Sequence, residues 1–216
     1  MIITLTNQKG GCGKSTATMN LALGTAAMNY KTALIDTDEQ KSCLETLEEY
    51  PKSNLSIYDG GDDVDTLVAE LKDDFHFIFI DTPPHSHHIM YKAMAVADFI
   101  IIPLQASPLD IRSAKRTIDA CHKVQKEAGR DIPCYFLLNR VNPRTNLSKE
   151  IGAYIRELYT VPLLQSRLHN RVAYAQSLMH GKSVIEHNRS SDAAMEVKKL
   201  LKEVHRIFQK ERKKKD

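Results

Sequence analysis

The stretch Asn7-Gln8-Lys9-Gly10-Gly11-Cys12-Gly13-Lys14-Ser15-Thr16 gathers three glycines, two lysines and two hydroxyls within ten residues. Glycines let backbone N–H groups curl around an anion with no Cβ in the way, and a helix starting there adds free N–H donors and the positive end of its dipole. Those are the needs of a bound phosphate. At this spacing Lys14 reaches the β- and γ-phosphates of a nucleoside triphosphate, and the Ser15 hydroxyl ligates Mg²⁺. The general phosphate-loop pattern, Gly-x-x-x-x-Gly-Lys-[Ser/Thr], asks for glycine at position 8, where this chain has Gln8. In exchange, a second lysine, Lys9, stands just before the glycine pair. A glycine-rich turn with two surface lysines is the plain structural alternative.

Other polar groups end apolar runs. Residues 31–36 (KTALID) lead into Asp36-Thr37-Asp38-Glu39-Gln40, residues 77–80 into Asp81-Thr82-Pro83-Pro84, and residues 132–138 into Asn139-Arg140. In an open α/β sheet the carboxyl ends of the strands face the ligand crevice. Asp36 and Asp38 are thus placed to act on Mg²⁺ or water, and Asp81 to hold Mg²⁺ through its waters. An amide at a strand end offers one donor and one acceptor to an adenine edge, and Asn139 falls there. Simpler roles stay open: Asp38 as a helix N-cap, Asp81 and Asn139 as turn residues. His85-Ser86-His87-His88 suggests a metal site, but three imidazoles within four residues do not converge easily on one ion. A segment that moves with the nucleotide is the better reading.

The elements that must position these groups follow from periodicity. Apolar β-type runs at residues 2–5, 31–36, 55–58, 77–80, 97–103, 132–138 and 161–164 alternate with stretches of helical spacing. That order predicts an α/β fold, a doubly wound, mostly parallel sheet with helices on both faces. Ser107-Pro108-Leu109-Asp110 reads as a helix cap, and a helix over about 147–159 is capped by Asn146 or Ser148. A closing helix from Ser191 to about Lys210 places Ala194, Val197, Leu200, Leu201, Val204, Ile207 and Phe208 on one side and lysines opposite. Such a helix either packs on the sheet with a basic face that attracts DNA, or lies on an anionic membrane. Its long apolar stripe favours packing.

Composition bounds the rest. With 216 residues, 42% hydrophobic and 26% charged, one globular domain is expected over residues 1–210, with a basic disordered tail at 211–216. No run approaches the roughly 20 apolar residues of a membrane span, and the first strand begins without a signal peptide, so a cytoplasmic location is expected. Cys12, Cys43, Cys121 and Cys134 lack pair spacing, which reads as reduced thiols with no zinc or iron-sulfur role. Net charge is only +3, but lysines and arginines crowd the C-terminal end.

Lys9-Gly10-Gly11-Cys12-Gly13-Lys14-Ser15 closely resembles the loop of the deviant Walker ATPases of the ParA/MinD family, Lys-Gly-Gly-x-Gly-Lys-[Ser/Thr]. Residues 36–40 are similar to the family's Asp-x-Asp-Pro-Gln, with Glu39 in the proline's place, and Asp81-Thr82-Pro83-Pro84 matches its Walker B strand end. Residues 103–110 resemble Pro-x-x-x-Ser-Pro-x-Asp, which lies at the nucleotide-sandwiched dimer interface. The likeness covers nearly the whole chain and is closest to small ParA-type partition ATPases, without the N-terminal helix-turn-helix of larger ones. It implies a P-loop NTPase that hydrolyses ATP with Mg²⁺. Lys9, Lys14 and Asp38 would be catalytic; Ser15, Asp36 and Asp81 would serve the metal; and Lys9 to Thr16 (Lys9, Gly10, Gly11, Cys12, Gly13, Lys14, Ser15, Thr16), with Asn139 and Arg140, would hold the nucleotide. Lys9 would reach across an ATP-bound homodimer. The segment 165–184 resembles a late ParA stretch whose arginines touch DNA phosphates, so Arg167, Arg171 and Lys182 are candidates for binding nonspecific double-stranded DNA, with solvated surface charge as the alternative. A centromere-binding, ParB-like adaptor would stimulate hydrolysis, and the protein would associate with the nucleoid. A MinD-like membrane-cycling ATPase and a metabolic enzyme on the same fold are the competing readings.

Overall fold

The computed structural model describes residues 1–213, apart from the side chain at position 149. Among them the chain alternates strand and helix: β1 (Ile2–Leu5), α1 (Lys14–Ala26), β2 (Thr32–Asp36), α2 (Ser42–Leu47), β3 (Leu55–Asp59), α3 (Val64–Leu71), β4 (Phe77–Asp81) and α4 (His87–Val96). The second half continues with β5 (Phe99–Leu104), α5 (Pro108–Ala128), β6 (Cys134–Val141), α6 (Asn146–Leu158), β7 (Leu163–His169), α7 (Val172–Leu178), α8 (Val184–His187) and α9 (Asp192–Arg212).

The strands form one sheet in the order β3-β2-β4-β1-β5-β6-β7, and every pairing is parallel. The apolar runs are continuous because both faces are covered. Within β5, Phe99 and Ile101 join the core that packs α1 and α9, while Ile100 and Ile102 join the opposite core with residues of α4, α5 and α6. Strand order reverses at β1, which lies between β4 and β5, so a loop leaving β1 opens into the crevice where such sheets hold ligands.

Several boundaries differ from expectation, each for a physical reason. β6 runs on to Val141, so Asn139 and Arg140 lie within the strand; a register shift against β7 and a φ of 53° at Arg140 accommodate them. β7 begins at Leu163 and extends to His169, which moves Arg167 from an expected loop onto a strand. Leu164 and Leu168 bury into the core there, and the N–H groups of Gln165 and Ser166 are accepted by Glu203 of α9 at 2.7 and 2.8 Å. Thr145, rather than Asn146 or Ser148, caps α6, its hydroxyl accepting the Ser148 N–H. Ser107 makes no side-chain cap bond to α5, and Asp110 turns instead to Lys9.

α9 places Val197, Leu200 and Val204 in the sheet core, so the stripe that a membrane-lying helix would need is already covered. No helix among the described residues is long and apolar enough to cross a membrane. α9 reaches Arg212, two residues into the stretch expected to be a disordered tail, and residues 214–216 of that tail lie outside the described residues. All four cysteines are free thiols.

Candidate functional site

The loop between β1 and α1 is tied down from two sides. The Asn7 amide donates to Pro103 O at 2.8 Å, its oxygen accepts the Lys9 N–H at 3.0 Å, and the Thr117 hydroxyl of α5 accepts the Gln8 N–H at 3.2 Å. Gln105, just past β5, donates to Gly11 O at 2.8 Å. From β6, Arg140 donates to Gly11 O at 3.3 Å, and Asn139 to Cys12 O and Gly13 O at 2.8 and 3.3 Å. With these carbonyls engaged and the Gln8 and Lys9 N–H groups used as anchors, the N–H groups from Gly10 onward can face an anion. Gly11 and Gly13 have φ of 74° and 85°, and a Cβ on Gly13 would sit 2.5 Å from the Asn139 amide nitrogen, so only glycine fits there. Lys14 is buried, its ammonium folded onto Lys9 O at 3.4 Å.

The carboxylates expected at the strand ends converge beside this loop. Asp81 is fully buried, and the Thr18 hydroxyl donates to it at 3.1 Å. Burial lifts its pKa to about 6, the nearby Asp36 charge adding to the rise while Ser15, Lys14 and Thr18 oppose it. Asp36 is also raised by burial, although it accepts N–H groups from Asp38, Cys43 and Leu44 at 3.1, 2.8 and 3.2 Å. Ligand atoms of Asp36, Cys43 and Asp81 lie within 4.8 Å of one another. Burial holds the Cys43 thiol protonated, which leaves an oxygen set of two buried carboxylates and adjacent hydroxyls. Such a set fits a hard divalent cation, whose charge would offset the cost of burying both carboxylates.

Asp38 is half-buried, and its oxygen accepts the Gln40 N–H at 3.0 Å. It borders a groove shared with Pro84, His85, Ser86 and Ile89, next to the segment that sequence reading marked as mobile. Lys9 forms an ion pair with Asp110, whose side chain is 5% exposed against 40% for the lysine. Asn139 is tied to the phosphate loop. Its nitrogen is engaged on the loop carbonyls of Cys12 and Gly13, while its oxygen accepts the N–H of its own strand neighbour Arg140 at 3.0 Å.

Beyond Gly13 and Thr16 the site continues into a cavity of about 330 Å³, bordered by Asn139, His169, Arg171 and Tyr174. The three candidate DNA contacts differ in how far they are already engaged. Arg171 pairs with Asp192 and Glu196 at 2.9 and 2.8 Å, and Arg167 donates to Ser148 O at 2.8 Å; Lys182 is exposed. Sequence reading missed Thr18, Gln105, Thr117 and Glu196. Thr18, four residues after Lys14 on the same helix face, carried a usable signal; the others carried none.

The model of the CobQ/CobB/MinD/ParA nucleotide binding domain matches residues 3–184. The chain belongs to this family. Among relatives of this CobQ/CobB/MinD/ParA member, the maintenance of carboxysome distribution protein A of Halothiobacillus neapolitanus is 29% identical over 210 residues, covering 94% of this chain and 95% of that protein. The sporulation initiation inhibitor protein Soj of Bacillus subtilis is 23% identical over 246 residues, covering 94% and 97%. In fold it is similar to the septum site-determining protein MinD of Pyrococcus horikoshii, solved with Mg-ADP, at a TM-score of 0.73 and 22% identity over 94% of this chain and 95% of that one.

Proposed function

We propose that this family member is a Mg²⁺-dependent ATPase of the ParA type, which positions or partitions a cargo by cycling between a monomer and an ATP-bound homodimer. The observation that carries the reading is the meeting of a glycine loop bearing two lysines, Lys9 and Lys14, with the buried Asp81. Relatives named for carboxysome distribution and for Soj support the positioning role.

Lys14 and the loop N–H groups bind the phosphates, and Ser15 and Asp81 hold the metal, with Asp36 behind them. The metal, when bound, neutralises charge on the phosphate oxygens. Asp38 orients the water that attacks the γ-phosphorus, giving ADP and phosphate. Lys9 leaves Asp110 and reaches the phosphates of the second copy, which ties nucleotide state to assembly. Nonspecific DNA binds the exposed basic face of α9, at Lys199, Lys202, Arg206 and Lys210, together with Lys182, and two such faces in a dimer gain affinity through effective concentration. A ParB-like adaptor speeds hydrolysis and release.

The test is phosphate release and light scattering on the purified chain with ADP, ATP or a nonhydrolysable analogue. Mass should double with Mg-ATP and the analogue but not with ADP. Absence of both turnover and any nucleotide-dependent change in mass would refute the proposal.

A further inference from the structure

Glu196 is the odd residue on the buried side of α9. Its neighbours Ala193, Ala194, Val197 and Leu200 are apolar and buried, whereas Glu196 is a carboxylate whose side chain is 10% exposed. A helix that needed only to pack on the sheet would carry an apolar residue there, since a buried carboxylate is tolerated only when fully partnered. Glu196 has its partners, and all lie in one short segment. Its Oε2 accepts the His169 N–H and the Tyr174 hydroxyl, both at 3.0 Å, and its Oε1 accepts the Arg171 Nε–H at 2.8 Å and lies 2.7 Å from His169 Nδ1. His169, Arg171 and Tyr174 all border the cavity that continues from Gly13.

We infer that Glu196 is a positioning residue for the base end of the nucleotide: it fixes residues 169–174 as the wall of a subsite for the purine and ribose, while the loop at 9–16 takes the phosphates. The inference rests on the nucleotide reading above. It assigns α9, outside the residues matched by the family model, a part in nucleotide affinity. Because Glu196 touches only the wall, its loss weakens the grip on the base and leaves the phosphate cradle alone.

Tripolyphosphate separates the two ends, because it carries the phosphates without a base. Calorimetric titration of the full chain with Mg-ATP and with Mg-tripolyphosphate, for wild type and Glu196→Gln, is the experiment. The glutamine keeps the shape and loses the charge that holds Arg171. ATP affinity should fall about tenfold, while tripolyphosphate affinity changes less than about twofold. If Glu196→Gln does not fold by circular dichroism, Arg171→Lys removes the same Nε bond and carries the same expectation. Equal weakening of both ligands, or no change in ATP affinity, overturns the inference. A wild type that binds neither ligand overturns the nucleotide reading instead.

Discussion

Lys9 of the phosphate loop is ion-paired with Asp110, the buried carboxylate in the first turn of α5. The lysine that the proposed dimer needs is therefore held within its own subunit. Asp110→Asn should free it, so that Mg-ATP yields dimers at lower protein concentration than in wild type. Lys9→Ala should abolish dimers and cost about 1–3 kcal/mol of stability, because it leaves a buried carboxylate without a partner. Light scattering and denaturant melts check both. Weaker dimerisation of Asp110→Asn would show that the pair is no restraint.

Asp81 makes stability depend on pH. Its folded pKa of about 6 lies above the ordinary 3.8, so the folded state binds the proton more tightly than the unfolded chain. Its contribution is fully present below the ordinary value and is lost as pH rises through about 6, a change of about 3 kcal/mol. Asp36 is shifted in the same direction. The metal-free chain should therefore resist urea better near about pH 5 than near about pH 7.5, and Asp81→Asn should flatten the difference. Magnesium should stabilise wild type mainly at the higher pH. A flat wild-type profile in chelator would contradict the argument.

Asn139 is predicted to hold the loop rather than read the base. Asn139→Ala should weaken ATP, GTP and tripolyphosphate alike, by about tenfold each, since it frees two loop carbonyls. A changed preference for ATP over GTP, with tripolyphosphate unaffected, would restore the adenine role. Gly13→Ala, at φ 85° and against the Asn139 amide, should lose all three ligands and about 1–2 kcal/mol of stability.

DNA contacts can be sorted by salt. Reversing the charge of Lys199, Lys202 or Arg206 should each lower the slope of log affinity against log salt by about 1. Arg171→Ala should instead lower the melting temperature, since its guanidinium is engaged by Glu196 and Asp192. An unchanged slope in the α9 variants would move the DNA surface elsewhere.

The loop and the aspartates were legible because their chemistry demands fixed residue types at fixed offsets, each after an apolar run that can only be a buried strand. The sheet followed from the same runs. Gln105, Thr117 and Glu196 were not legible, because their partners lie far along the chain or, for Glu196, on a neighbouring element, where no periodicity points. The full length of β7 is hidden because Gln165, Ser166 and Arg167 look like loop, yet Glu203 satisfies two of their N–H groups from α9. Ser107-Pro108-Leu109-Asp110 has the pattern of a local cap, but a lysine distant in sequence takes the carboxylate.

The carbonyls at Gly11, Cys12 and Gly13 are all fastened to side chains of β6 or of the segment just past β5. The cradle is thus braced by the protein's own side chains, so little ordering entropy should be lost on capture. In the proposed cycle, loading should then be limited by encounter with the nucleotide, and the meeting of two loaded copies should be the slow event. Timing is in that case set by how much of the protein is present.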